Sequence, residues 1–283
     1  MKTSRPLPIL ALALAGGLLF TGCAATGATT EPTTQATPAA KPLTAIQLVQ
    51  KADPDNIGDG LTYTKISKNS LGQYVELGAD KKSNLGKFNP KIWTKTGKAW
   101  TEADMAAAQL TAVDFVYGGL LSGPAAGGSD QDAATQAKSL AKRYSKHDHN
   151  QGIVSILADL YKGPKSENVF LIWADPKLNN FTGYSFYQSK DTSRFLNPTV
   201  KLKKANSYSV GDVLDSEKAA IDGATVTVVA NFDWKMTKDG KTFRKPTEII
   251  YDVYLMKEDG KVVPRGANLD GEPAKSTPKE AKL

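Results

Sequence analysis

Thr225-Val226-Thr227-Val228-Val229-Ala230-Asn231-Phe232-Asp233-Trp234-Lys235-Met236 is the stretch on which the fold turns. Val226, Val228, Ala230, Phe232, Trp234 and Met236 alternate with Thr225, Thr227, Val229, Asn231, Asp233 and Lys235. A two-residue period of this kind predicts a strand with one apolar face. Lys238-Asp239-Gly240-Lys241 follows, and Asp-Gly supplies the positive φ that a tight hairpin turn needs. Residues 248–256 return, Glu258-Asp259-Gly260-Lys261 turns again, and Val262-Val263 begins a last short strand. The C-terminal half therefore reads as a long antiparallel meander.

Upstream the period becomes helical. In 101–121, Ala106, Leu110, Val113, Tyr117 and Leu120 step by 4, 3, 4 and 3, which makes one apolar face. Thr101 is placed to cap this helix, with Asp104 as the reciprocal carboxylate. Gly123-Pro124 and Gly127-Gly128 break the chain, Ser129-Asp130-Gln131-Asp132 opens a second helix, and Asn150 caps a short third one. Residues 168–174 read as a buried strand, with weaker strands at 182–188 and 200–210. Further upstream, 44–52 fits a short helix stopped by Asp53-Pro54. Residues 58–100 carry strand-like pieces at 61–66 and 73–77, with Trp93 and Trp100 as anchors. Helices first and a meander last predict an α+β domain over 101–270, with helices packed on one face of a curved antiparallel sheet and a small β-rich extension at 43–100.

The order of the helices at 101–161 and the closing hairpins resembles the nuclear transport factor 2-like fold, over about 170 residues from Thr101 to Asp270. The resemblance implies three helices in the concave face of a bent sheet and a cone with a pocket at its open end. That superfamily includes isomerases, dehydratases and many non-catalytic binding domains, so the fold leaves the chemistry open.

The N-terminus has the three-part order of a secretory signal. Lys2 and Arg5 are followed by an uncharged apolar run from Leu7 to Phe20, 14 residues and short of a membrane span. Leu19-Phe20-Thr21-Gly22-Cys23 resembles a bacterial lipobox, and Cys23 is the lone cysteine of the chain. The resemblance implies removal of residues 1–22, lipidation of Cys23 (a diacylglycerol thioether, with palmitate or a similar acyl chain on the new amino group) and anchoring on the extracytoplasmic face of the cell membrane. Two or three acyl chains hold a protein persistently, at about 0.8 kcal/mol per buried CH₂. Residues 24–42 contain 15 Thr, Ala or Pro out of 19, a composition that favours an extended tether after Cys23. Residues 271–283 read as a disordered tail.

The whole chain has 283 residues, 36 Lys+Arg against 29 Asp+Glu, and a net charge of +7 that falls to +5 once Lys2 and Arg5 are removed. One Cys excludes an internal disulfide or a Cys-rich metal site. His147-Asp148-His149 is a weak metal candidate, because Lys142, Arg143 and Lys146 crowd it with positive charge. Histidines at a helix C-terminus also follow from the helix dipole alone. The glycine pairs do not follow strands as a phosphate loop requires, and no Gly-x-Ser-x-Gly elbow is present, so no cofactor is expected. The lysines are scattered without a basic run or stacking platform, which argues against nucleic acid. An isomerase-type site would draw on Tyr117, Tyr251, Asp252 and Tyr254, but no placed acid–base pair can be read. Phe232, Trp234 and Tyr251 share the sheet face toward the helices and, with Tyr117, are the candidate pocket walls.

The expected function is that of a membrane-anchored envelope lipoprotein whose body is a non-catalytic binding or scaffold module for another envelope protein. Three alternatives stay open: capture of a small apolar or glycan ligand, an isomerase- or dehydratase-like enzyme, and a prophage-encoded exclusion lipoprotein.

Overall fold

The structure, a computed structural model, describes residues 41–52, 57–70, 72–122, 185–186, 195–208, 222–270 and 278–281, with isolated positions between 132 and 143. Its first element, α1 (Ala45–Ala52), is capped by Thr44, whose Oγ1 accepts from Gln47 N while Gln47 Oε1 accepts from Thr44 N. The hairpin β1 (Leu61–Asn69) and β2 (Gly72–Ala79) follows. Two 3-10 turns and the short strand β3 (Trp93–Lys95) lead into α2 (Glu102–Val113), which continues as a π-helical segment, Asp114–Leu121. The rest is strand: β4 (Ser185–Phe186), β5 (Phe195–Tyr208), β6 (Gly223–Lys238), β7 (Lys241–Glu258), β8 (Lys261–Asp270) and β9 (Lys279–Glu280).

The large sheet has seven strands in the order β3-β5-β6-β7-β8, with β4 on β6 and β9 on β7. All pairings are antiparallel except β3 with β5. The β6–β7 turn closes on the pair Lys238↔Lys241, with Asp239 at φ 50° and Gly240 at 74°. The β7–β8 turn repeats this with Asp259 at 50° and Gly260 at 72°. Positive φ at both central residues twists the chain in the same sense as the flanking strands, so both hairpins close tightly. Along β6 the apolar set from Ala224 to Met236 is buried without exception, as its alternation predicts. Each of these residues faces a β7 partner of the same face: Val228↔Tyr251, Phe232↔Thr247, Trp234↔Lys245.

The expected α+β cone is overturned. Strands make up 54% of the described residues, and a single helical rod of 20 residues runs across the sheet. This is a β-rich fold, not a set of helices packed in the concave face of a curved sheet, and the nuclear transport factor 2-like resemblance does not hold. The second and third expected helices and the strand at 168–174 lie, apart from isolated positions, outside the described residues. The physical reason for the error is plain in the rod itself. α2 touches β5, β6, β7 and β8 as well as β2, and its π-helical continuation packs on β2. The β1–β2 hairpin, expected only as an N-terminal extension, thus covers part of the rod. Leu61, Tyr63, Val75 and Leu77 of that hairpin join the same core as the helix and the large sheet, within a unit spanning Pro42–Leu283.

The rod begins as its sequence requires. Thr101 Oγ1 accepts from Asp104 N (3.2 Å) and Asp104 Oδ2 accepts from Thr101 N (2.8 Å), a reciprocal capping box. Its buried face is broader than the predicted one. Val113 and Tyr117 are fully buried, but so are Met105, Ala108 and Ala112, while Ala106, Leu110 and Leu120 are half-buried. At the other end, Lys279–Glu280, within the segment read as a tail, pairs with Phe243 and Arg244 of β7.

Candidate functional site

The four residues expected to wall a pocket come together on the inner side of the sheet, all buried. Their rings pack edge to face: Tyr117 on Phe232 (centroids 6.4 Å) and Phe232 on Trp234 (5.0 Å). Phe195, which the sequence reading missed, completes the group at 4.8 Å from Phe232 and 4.9 Å from Trp234. It was missed because Phe195-Leu196-Asn197-Pro198 looks like a loop, and Asn197 does adopt a positive φ of 48°. Its register opposite Trp234, which places it in the group, is visible only in the structure. Such ring pairs add roughly 0.5–1.5 kcal/mol each beyond the area they bury.

Of the two inner phenols, Tyr117 is a donor to backbone. Tyr117 Oη donates to the carbonyl of Thr199 (2.7 Å) and reaches that of Asn231 (3.3 Å). Burial pushes the Tyr117 phenol well above its ordinary range, with the neighbouring Tyr251 adding to the effect against the backbone bond at Asn231. Burial alone raises Tyr251. Both stay protonated at any physiological pH, which fits Tyr117 to hold backbone in place and neither phenol to take up protons.

The remaining groups of the isomerase-type set lie on the opposite face of the sheet. Asp252 accepts a short hydrogen bond from Thr227 Oγ1, its partner across β6, and Tyr254 Oη accepts from Asn268 Nδ2 at 2.7 Å. Asp233 faces the same outer side, 3.5 Å from Arg244. Loss of hydration raises the Asp233 carboxyl and Arg244 partly opposes it. Strand alternation therefore separates these carboxylates from Tyr117 and Tyr251 by the thickness of the sheet. Lys245, also missed, pairs with Trp234 and is buried on the inner face, where loss of hydration lowers its pKa.

A cleft of about 260 Å³ opens between the β1–β2 hairpin and the π-helical segment, lined by Thr64, Lys65, Glu76, Leu77, Asp114, Gly118 and Arg143. Its chemistry is polar and of mixed charge. Glu76 is buried, accepts from Ser67 Oγ and pairs with Lys65 Nζ at 3.2 Å. Ser122, at the end of the rod, fastens the wall: its Oγ accepts from Leu77 N (3.1 Å) and donates to the carbonyl of Tyr117. Gly118 permits the approach, since a Cβ there would stand 3.2 Å from the Leu77 carbonyl oxygen. The use of Gly118 is close packing of helix on strand.

Of the tryptophans, Trp100 and Trp234 are buried. Trp93 is half-buried and donates from Nε1 to Ser207 Oγ at 2.9 Å. Cys23, His147 and His149 lie outside the described residues. Among the described residues no group of three or more His, Cys, Asp or Glu is placed to hold a metal ion, and no helix is long and apolar enough to cross a membrane. No protein-family model, curated protein or solved structure matches this chain.

Proposed function

We propose that the chain is a lipid-anchored extracytoplasmic protein whose β-rich body serves as a non-catalytic binding or scaffold module of the cell envelope. One observation carries the proposal: the lone cysteine, Cys23, closes a 14-residue apolar run and opens a Thr/Ala/Pro tether. The body adds support from its interior. Tyr117, Phe195, Phe232 and Trp234 fill the space against the sheet ring on ring, and the inner phenols are held protonated. A rigid, filled body on a tether suits presentation of a surface to a partner.

The anchor is tested by mass spectrometry of the native product and by acyl-chain labelling of growing cells. The expected result is a diacylglycerol thioether on Cys23, with label and membrane sedimentation both lost in Cys23→Ser. An unmodified thiol, or unchanged sedimentation of Cys23→Ser, overturns the reading. Cross-linking in intact cells tests the scaffold role, with one recurrent envelope protein expected; bound lipid or glycan as the sole catch counts against it. A second reading, capture of a small glycan, has the polar cleft beside Glu76 and Asp114 in its favour. Calorimetric titration with oligosaccharides separates the two.

A further inference from the structure

The lysines that look scattered in sequence are gathered on one strand face by a β-bulge. In β5, Leu202 pairs with Val228 and the next pairing is Lys204 with Thr227, so Lys203 is an extra residue. Strict alternation would send Lys204 to the core side with Leu202. The bulge lets Lys203 and Lys204 both face outward opposite one partner residue. Exposure follows that geometry: Lys201, Lys203 and Lys204 are exposed, Leu202 is half-buried and Ala205 is buried. Lys201 lies on the same outer face, across from Val229. Among the described residues no carboxylate pairs with any of the three. The partners across β6, Val229 and Thr227, are uncharged, and the nearest acid on the next strand, Asp252, is engaged by Thr227.

We propose that Lys201, Lys203 and Lys204 form the face through which the body docks on the headgroups of an anionic bilayer. This rests on the lipid-anchor reading. Charge complementarity selects phosphate-bearing headgroups, and the course of the chain selects the anchor's own membrane. The segment that follows the tether binds β5 directly: Gly58 N donates to the Pro198 carbonyl at 3.0 Å, three residues before Lys201. A tether of 19 residues reaches at most about 60 Å and on average much less, so the bilayer stays within range of this strand. Each lysine brought to an anionic leaflet strengthens the attraction roughly fivefold, and salt screens the effect.

The full-length lipidated protein is floated on vesicles of phosphatidylcholine alone or with phosphatidylglycerol, and the β5 segment is then mapped by hydroxyl-radical footprinting. The expected result is flotation on both vesicles, with several-fold protection of β5 on the anionic one only and loss of that protection in high salt. The triple variant Lys201→Gln, Lys203→Gln, Lys204→Gln should float equally and show no such protection. Failure to float overturns the anchor reading, and this proposal with it. A floated protein with the same β5 footprint on both vesicles overturns the docking face alone. Protection that survives in the triple variant, or that arises only with a soluble anionic wall polymer, overturns it as well.

Discussion

Lys257 Nζ of β7 lies 3.1 Å from Asp104 Oδ2, tying the long hairpin to the first turn of α2. The same ammonium donates to the Ala99 carbonyl and stands 5.5 Å from the Trp100 ring. Asp104 is thus shared between cap and clamp. Partial burial pulls its carboxyl upward, but the bonds from Thr101 N, Thr101 Oγ1 and Lys257 outweigh it and leave the pKa lowered from 3.8. With a depressed folded pKa, the stabilisation is complete above the unfolded value and is lost as pH falls through the folded one. Both side chains keep solvent contact, so the ion pair itself adds less than about 1 kcal/mol and the cap contributes more. Asp104→Ala should cost about 1–2 kcal/mol at neutral pH. In urea titrations followed by circular dichroism, that deficit should shrink below about pH 4. A deficit that persists unchanged at low pH would show that the carboxylate is not its source.

The inner phenols predict the opposite edge of the pH profile. Tyr117 and Tyr251 have folded pKa values raised by burial, so they favour the folded state below the ordinary tyrosine value of 10.0 and destabilise it as pH rises beyond. Phenolate absorbance from these two residues should appear only with the loss of ellipticity that marks unfolding. Tyr117→Phe should lower stability by about 1 kcal/mol through loss of the bond to the Thr199 carbonyl, with unfolding cooperativity retained. Ionisation of all the tyrosines in the folded state would contradict the packing of this face.

What was legible in the sequence is local. Phe232, Trp234 and Tyr251 were assigned to one face by parity alone, and Thr101 with Asp104 announced the helix start; side-chain direction follows directly from a period of two, and a cap is a contact within one turn. Both Asp-Gly turns were equally plain. Legibility failed where distant segments meet. Nothing in residues 61–79 says that Leu77 will receive Gly118 and Ser122, because that contact joins segments about forty residues apart. Read without that contact, the hairpin is only an extension, and the order of the remaining elements leads to the cone. The extra residue at Lys203 was hidden for a related reason: a bulge breaks the alternation by which strands are read.

The β6–β7 turn offers a test of backbone conformation with packing removed. A Cβ at Gly240 would meet nothing within 4 Å, yet its φ is +74°. Gly240→Ala should therefore cost about 1 kcal/mol from conformation alone. Gly240→Asn should cost less, since Asn tolerates this region. Comparison of the two melting curves checks the point, and equal stability of the Gly and Ala forms would contradict it.

Gly118 sets two effects against each other. Alanine is the better helix former by about 1 kcal/mol, so on propensity alone Gly118→Ala should stabilise the rod. Its Cβ would, however, stand 3.2 Å from the Leu77 carbonyl oxygen and 3.2 Å from Asp114 Oδ1. The Asp114 side chain is exposed and able to swing aside. The Leu77 oxygen is part of β2, which Ser122 fastens by accepting from Leu77 N, so the strand itself would have to move. Crowding of that kind typically costs about 1–3 kcal/mol, enough to reverse the gain. Gly118→Ala is expected to be neutral to slightly destabilising and Gly118→Val destabilising by about 2 kcal/mol or more. Hydrogen exchange should accelerate first in β2, the strand across the seam. If both variants prove more stable than the parent, propensity has won and the seam between rod and hairpin is looser than its geometry indicates.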